Sequence, residues 1–196
     1  QPVDTQPLIV FFKCLLDILV KGFETERILR LLKTQLFGFT VEEIALIEDY
    51  CLMWKIRTSA WLEEWTENPN GFGELVTDFS NELLEKINAL RQRIVAPISL
   101  LKKQMKDSDG ESMSKALFTF LQNNKIDENL KVFTQTLKDS EEIELALEQA
   151  RIWKIVTEVL DGLYFAIGNT NISIERYSEL FNLFVASKNI GVIPNG

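Results

Sequence analysis

The sequence contains no histidine. That removes the most frequent general base, the serine and cysteine triads built around it, and most zinc sites. Cysteine is nearly absent too. The two present, Cys14 and Cys51, each fall inside an apolar helical pattern and not at any metal-ligand spacing. They read as reduced core thiols of a cytoplasmic protein. Glycine and proline are few, and no stretch before the C-terminal end alternates in the strand period. No period of 20 to 50 residues repeats, which disfavours a solenoid. Basic residues do not dominate: the formal charge is −8, which argues against a wholly basic nucleic-acid-binding domain while leaving room for a local basic stripe.

Phosphate and cation motifs are missing as well. There is no Walker A lysine motif, and Gly71-Phe72-Gly73 lacks both a third glycine and a preceding strand. The turn Asp107-Ser108-Asp109-Gly110 would need a bidentate glutamate where Phe118 stands, so it is not a calcium loop. Asn171-Ile172-Ser173 is a glycosylation triplet by pattern alone. Glu63/Glu64 and Glu141/Glu142 read as solvated helix faces or caps. The chain itself is expected to be non-catalytic, with no cofactor or metal site. Its apolar run Leu8–Val20 is interrupted by Lys13 and Asp17 and falls short of the about 20 residues that span a bilayer. A buried helix fits it, with no targeting signal and no membrane partner expected. The start on Gln-Pro without methionine suggests a processed chain or a piece of a longer one.

What is present is helical periodicity. At 46% hydrophobic residues over 196, one full core can be buried. The pattern predicts an all-α, irregular multi-helix fold of about seven to nine helices with a short extended tail, Ile190 to Gly196. Pro7 opens a first helix and Gly22 stops it at Lys21. A second is expected over Glu24–Leu36, burying Ile28, Leu31 and Leu32. Thr40 and Glu43 form a capping box at the head of a third, with Ile44, Ile47, Cys51 and Trp54 inward. After a corner at Ile56–Ser59 and a loop at Glu67–Gly73, a helix from about Glu74 should bury Leu75, Phe79, Leu83, Ile87, Leu90 and Ile94. Pro97 is expected to kink or break it. Further helices are predicted over about Met113–Asn124, Asp127–Leu137, Ser140–Gly168 and Ser173–Ser187.

Two basic features are candidate phosphate contacts. Arg27, Arg30 and Lys33 share a helix face at spacing three. Arg91, Arg93, Lys102, Lys103 and Lys106 flank Pro97. An ordinary solvated face competes with that reading. Trp61 and Trp65 are candidate interface anchors, although tryptophans that pack helices together are commoner.

The succession of motifs resembles a known family. Ile28–Leu36 (ILRLLKTQL) and Leu46–Trp61 (LIEDYCLMWKIRTSAW) are similar to a segment of the AddB-type component of the bacterial AddAB/RexAB-type helicase–nuclease. Arg30, Leu32, Lys33, Thr34, Glu48, Tyr50 and Trp61 match its pattern. Leu29 and Leu31 stand where it has aromatics, Ile47 replaces a leucine and Asp49 an asparagine. Leu90–Met105, Ala116–Leu130 and the terminal VIPNG resemble later segments in the same order, with Asn195 in place of a second proline. The resemblance implies a helical region inserted in the degenerate motor core of an ATP-dependent helicase/deoxyribonuclease component. Residues 1–61 would join the motor domain and 62–196 would form the insertion. It implies work on double-strand breaks in recombinational repair, an AddA-type motor–nuclease partner, and double-stranded or junction DNA. ATP and Mg, and an iron–sulfur cluster, would be held elsewhere in the complex. A free-standing helical protein-interaction module is the competing class.

Overall fold

A computed structural model describes residues 3–190. Eight α-helices make up the described chain: α1 Pro7–Lys21, α2 Thr25–Leu32, α3 Val41–Trp54, α4 Asp78–Met105, α5 Gly110–Asn123, α6 Ile126–Asp139, α7 Ile143–Ile167 and α8 Ile174–Ile190. Short 3-10 turns cover Val3–Thr5 and Thr58–Leu62. Among the described residues there is no strand, only one isolated bridge between Asp109 and Asn171. The all-α expectation holds. The predicted extended tail lies outside the described residues apart from Ile190, which ends α8.

Helix α1 is the axis of the packing, because its sequence is apolar around most of its circumference. It buries Leu8, Ile9, Phe11, Phe12, Cys14, Leu15, Leu16, Ile18 and Leu19, and α2, α4, α7 and α8 pack against it. Each such side chain contributes about 1.5–3 kcal/mol when removed from water. Phe12 stacks on Phe181 of α8 with ring centroids 5.2 Å apart, and Phe37 stacks on Phe120 of α5 at 5.9 Å. The amphipathic stripe of α7 closes the other side, with Ile152, Ile155, Val156, Val159, Leu160 and Leu163 buried as its spacing predicts. One continuous apolar cluster runs from Val3 to Val185.

Three departures from the sequence reading have identifiable physical causes. Helix α2 ends at Leu32 and not at Leu36. The Thr34 hydroxyl donates to the Leu31 carbonyl (2.7 Å) and Gln35 turns left-handed at φ 61°, which sends Leu36 and Phe37 into the core. Helix α4 begins at Asp78, later than Glu74, because Thr77 and Ser80 close a reciprocal capping box there. Leu75 and Phe79 are therefore solvent-facing, contrary to the predicted stripe, while Ile87, Leu90 and Ile94 are buried as expected. Finally, Pro97 does not break α4, which runs through it for 28 residues. Proline costs about 3 kcal/mol inside a helix. Leu90, Ile94, Ile98, Leu101 and Met105 are buried on both sides of it and hold the rod together.

Candidate nucleic-acid interface

The first basic stripe is largely occupied with its own protein. Arg27 donates to the Gly22 carbonyl (3.3 Å), Arg30 lies 3.6 Å from Glu26, and Lys33 pairs with Glu48 across the α2–α3 boundary at 2.6 Å. Arg93 is engaged more firmly. Its two arms donate to Glu43 Oε2 (2.9 Å) and the Gly38 carbonyl (3.2 Å), and its guanidinium sits 4.4 Å from the centroid of the Phe39 ring. Glu43 also accepts from the Thr40 backbone N–H (3.0 Å), completing the capping box of α3. That backbone bond first, and Arg93 beside it, hold the Glu43 carboxyl below the ordinary carboxylate range against a smaller desolvation cost.

Arg91 is not a surface residue. Only 3% exposed, it donates to the Trp61 carbonyl (3.0 Å) and to Asn88 Oδ1 (3.1 Å). Burial pulls its pKa down, partly offset by the nearby charge of Glu64. A guanidinium held this way has no surface from which to reach a phosphate, so Arg91 leaves the set of contacts. Its pattern carried a signal: four residues after Ile87 and three before Ile94, it falls on the buried stripe of α4.

Trp61 and Trp65 are buried within the chain and do not stand out from it. Trp61 packs edge-on against Trp65, and Trp65 stacks on Tyr50, both at 5.0 Å. Their indole N–H groups are used internally. Trp61 Nε1 donates to Thr25 Oγ1 (2.9 Å) and Trp65 Nε1 to the Ala60 carbonyl (2.9 Å). Thr25 in turn donates to the Ile56 carbonyl, and Asn88 bridges the Trp65 N–H and carbonyl. These bonds fasten the corner after α3 to α2 and α4. Lys55 (φ 52°) and Thr58 (φ 48°) are left-handed, and for a β-branched residue that is a strained conformation.

The fastened corner forms one wall of a cleft. Lys21, Gly22 and Glu24 from the α1–α2 junction, Thr58 and Ser59 from the corner, and Ser99 and Lys102 of α4 line a space of about 290 Å³. Lys21 is 3.8 Å from Asp17 and remains largely exposed. Lys102, Lys103 and Lys106 are exposed and make no ion pair among the described residues. Two ammonium groups and three hydroxyls around one opening can hold a phosphate oxygen, with Glu24 the one carboxylate among them. Sequence spacing identified Lys102 and Lys103. It could not bring Lys21, Thr58 and Ser59 to Lys102, because these residues are far apart in the chain and meet only in the fold.

The chain has two cysteines, so it cannot itself supply the four thiolates of an iron–sulfur cluster. Burial raises the Cys14 thiol, and pushes the Cys51 thiol up to about 12. Among the described residues no three His, Cys, Asp or Glu side chains group as metal ligands, and no helix is long and apolar enough to cross a membrane.

As a class, the described chain is an irregular all-α domain with a hydroxyl-and-lysine cleft between α1, the corner after α3 and α4. Similarity narrows that class. Over 197 residues the chain is 31% identical to the B subunit of the ATP-dependent helicase/deoxyribonuclease of Clostridium botulinum, covering 99% of this chain. It is 28% identical over 195 residues (98% of the chain) to the protein of that name from Caldanaerobacter subterraneus subsp. tengcongensis, and 29% over 201 residues (100%) to that of Clostridium acetobutylicum. The resemblance read from the residues is thus matched by curated relatives along nearly the whole chain. The chain spans 17% of each of these relatives. No family model matches it.

Proposed function

We propose that this chain is the non-catalytic helical region of an AddB-type helicase–nuclease component, and that it contributes the wall of a DNA channel. The observation that carries the reading is its colinear similarity, end to end, to one segment of proteins that share the helicase/deoxyribonuclease name. Residues 1–61 would lead out of a motor domain and 62–196 would form its insertion. The larger protein would act with an AddA-type motor–nuclease partner on double-stranded or junction DNA, in the cytoplasm, in break resection and recombinational repair. Nucleotide hydrolysis and strand cleavage would be carried elsewhere in that complex.

The part of the reading that belongs to these residues is electrostatic. Lys21 and Lys102 present ammonium groups beside the hydroxyls of Thr58, Ser59 and Ser99, with exposed Lys103 next to Lys102 along α4, which suits sequence-independent contact with a phosphate backbone. Arg27, Arg30 and Lys33, tied to neighbours, add field more than contacts; Arg93 does the same. The net charge of −8 disfavours DNA over most of the remaining surface, so contact is confined to this face.

The test uses the complete complex carrying Lys21→Glu, Lys102→Glu and Lys103→Glu, with affinity for a duplex–single-strand junction measured across salt concentrations. Weakening of about tenfold or more, with a salt slope shallower by roughly two, is expected. Unchanged affinity and slope would overturn the contact.

A further inference from the structure

The loop between Trp65 and α4 is folded with its polarity reversed. Its backbone is anchored inward: Tyr50 Oη donates to the Glu67 carbonyl (3.1 Å) and Trp54 Nε1 to the Asn68 carbonyl (3.0 Å). Asn68 then organises the turn, its side-chain amide donating to the Glu74 (3.0 Å) and Leu75 (3.3 Å) carbonyls while its oxygen accepts from the Asn70 N–H (2.9 Å). With the loop backbone tied to α3 and to the Asn68 side chain in this way, the apolar side chains point out. Phe72 is 92% exposed, Leu75 82%, Val76 71% and Phe79 70%.

Four large apolar residues within eight positions expose on the order of 500 Å², more than scattered surface hydrophobics account for. Met53 extends the surface: a Cβ placed on Gly71 would lie 4.0 Å from its sulfur, and both Met53 and neighbouring Leu52 are exposed. The surface is also held in shape by the bonds just described, so its exposure is a feature of the folded chain.

Charge decides what fits it. From Thr58 to Glu85 the chain carries seven carboxylates (Glu63, Glu64, Glu67, Glu74, Asp78, Glu82 and Glu85) and not one lysine or arginine. Glu74, Asp78 and Glu82 are interleaved with Leu75, Val76 and Phe79, so this part of the apolar surface has an acidic border, while the exposed Lys55 and Arg57 follow Leu52 and Met53 at its α3 end. A second copy would bring the same border into opposition with itself. A nucleic acid or an anionic membrane would be repelled. A protein segment with apolar residues flanked by lysine or arginine is complementary in both respects.

We propose that Phe72, Leu75, Val76 and Phe79, with Leu52 and Met53, are a docking surface for a basic amphipathic protein segment. It rests on the reading above only for the setting, a multi-domain assembly able to supply such a segment. The DNA cleft lies on other residues, so the two proposals fail separately.

The probe is a pair of 18-residue model helices with one leucine face, one bordered by lysine and the other by glutamate, titrated against this chain. The lysine helix is expected to bind and to lose at least tenfold in affinity with Phe72→Ser/Phe79→Ser. The charge reversal Glu74→Lys/Glu82→Lys should weaken the lysine helix and strengthen the glutamate one. All four side chains are exposed and make no hydrogen bond among the described residues, and circular dichroism checks that each variant is folded. Failure to bind, equal binding of both helices, or affinity indifferent to the phenylalanine pair overturns the proposal. So does self-association in sedimentation, or partition onto anionic phospholipid vesicles, that disappears with Phe72→Ser/Phe79→Ser. Junction-DNA affinity is measured in parallel with the same variants. Its loss would show that the surface faces nucleic acid, and would also overturn the docking assignment.

Discussion

Arg91 Nη1 lies 3.0 Å from the carbonyl oxygen of Trp61, thirty residues earlier in the chain. This one bond ties the middle of α4 to the corner that follows α3, in a place closed to water. A buried guanidinium normally answers to a carboxylate. Here the acceptors are a backbone carbonyl and an asparagine, with Trp65 5.9 Å from the guanidinium carbon.

Replacing Arg91 by alanine should destabilise the fold by about 2–3 kcal/mol, since it strands the Trp61 carbonyl and empties volume beneath the tryptophan pair. Lysine should rescue little, having no planar fork to reach both acceptors. Urea unfolding followed by tryptophan fluorescence measures both. A loss below about 0.5 kcal/mol in Arg91→Ala would mean that the bond is incidental.

Glu43 gives the stability a defined acid dependence. Its pKa is lowered in the folded state, so its contribution is present above the unfolded carboxylate value and disappears as pH falls through the depressed folded value. Glu43→Gln should therefore melt below the parent at neutral pH, with the difference shrinking as the solution is acidified below about pH 4. A gap that stays constant down to pH 2 would rule out this ionisation as its source.

Helices α5 and α7 meet at Gly110 with no room for a side chain. A Cβ there would stand 2.3 Å from Ile167 Cβ and 2.5 Å from Ile167 Cγ2. Gly110→Ala should cost about 1–3 kcal/mol through forced separation of the helices. Adding Ile167→Ala should recover only part of this, because the nearest clash is with a β-carbon that alanine keeps. Thermal melts of the single and double variants decide the point, and full recovery would contradict the geometry.

The core also contains an imperfect polar pair. Gln149 Nε2 donates to Gln6 Oε1 (3.0 Å), leaving Gln6 Nε2 and Gln149 Oε1 without a partner among the described residues. Changing Gln149 alone to leucine strands the Gln6 amide and should lower stability by about 1–3 kcal/mol. Changing both to leucine should be neutral or stabilising. A double variant less stable than either single one would show that the pair contributes more than it costs.

How far the sequence revealed these features depended on whether the cause was local. The ends of α1 and the head of α3 were readable because Pro7, Gly22, Thr40 and Glu43 act on their immediate neighbours. The stripe of α7 was readable because an apolar face has one place to go. Leu75 and Phe79 continue the α4 rhythm in sequence yet face solvent, because the cap that starts the helix, Thr77 with Ser80, interrupts that rhythm. The end of α2 was misplaced because the burial of Leu36 and Phe37, which turns the chain, depends on partners far along it: Asn129 donates to the Leu36 carbonyl from 93 residues away (2.8 Å). Charge told what a residue carries but not whether it reaches solvent. Arg91, Lys102 and Lys103 are alike in sequence; one is a buried strut and two are exposed.

Helix α4, unbroken through Pro97, is about 40 Å long at the usual rise per residue. Asp78 and Glu82 stand near one end of it, and Lys102 and Lys103 near the other. One continuous helix thus joins the two proposed contacts: a partner docked at its acidic end and a phosphate held at its lysine end would be spaced by the length of α4.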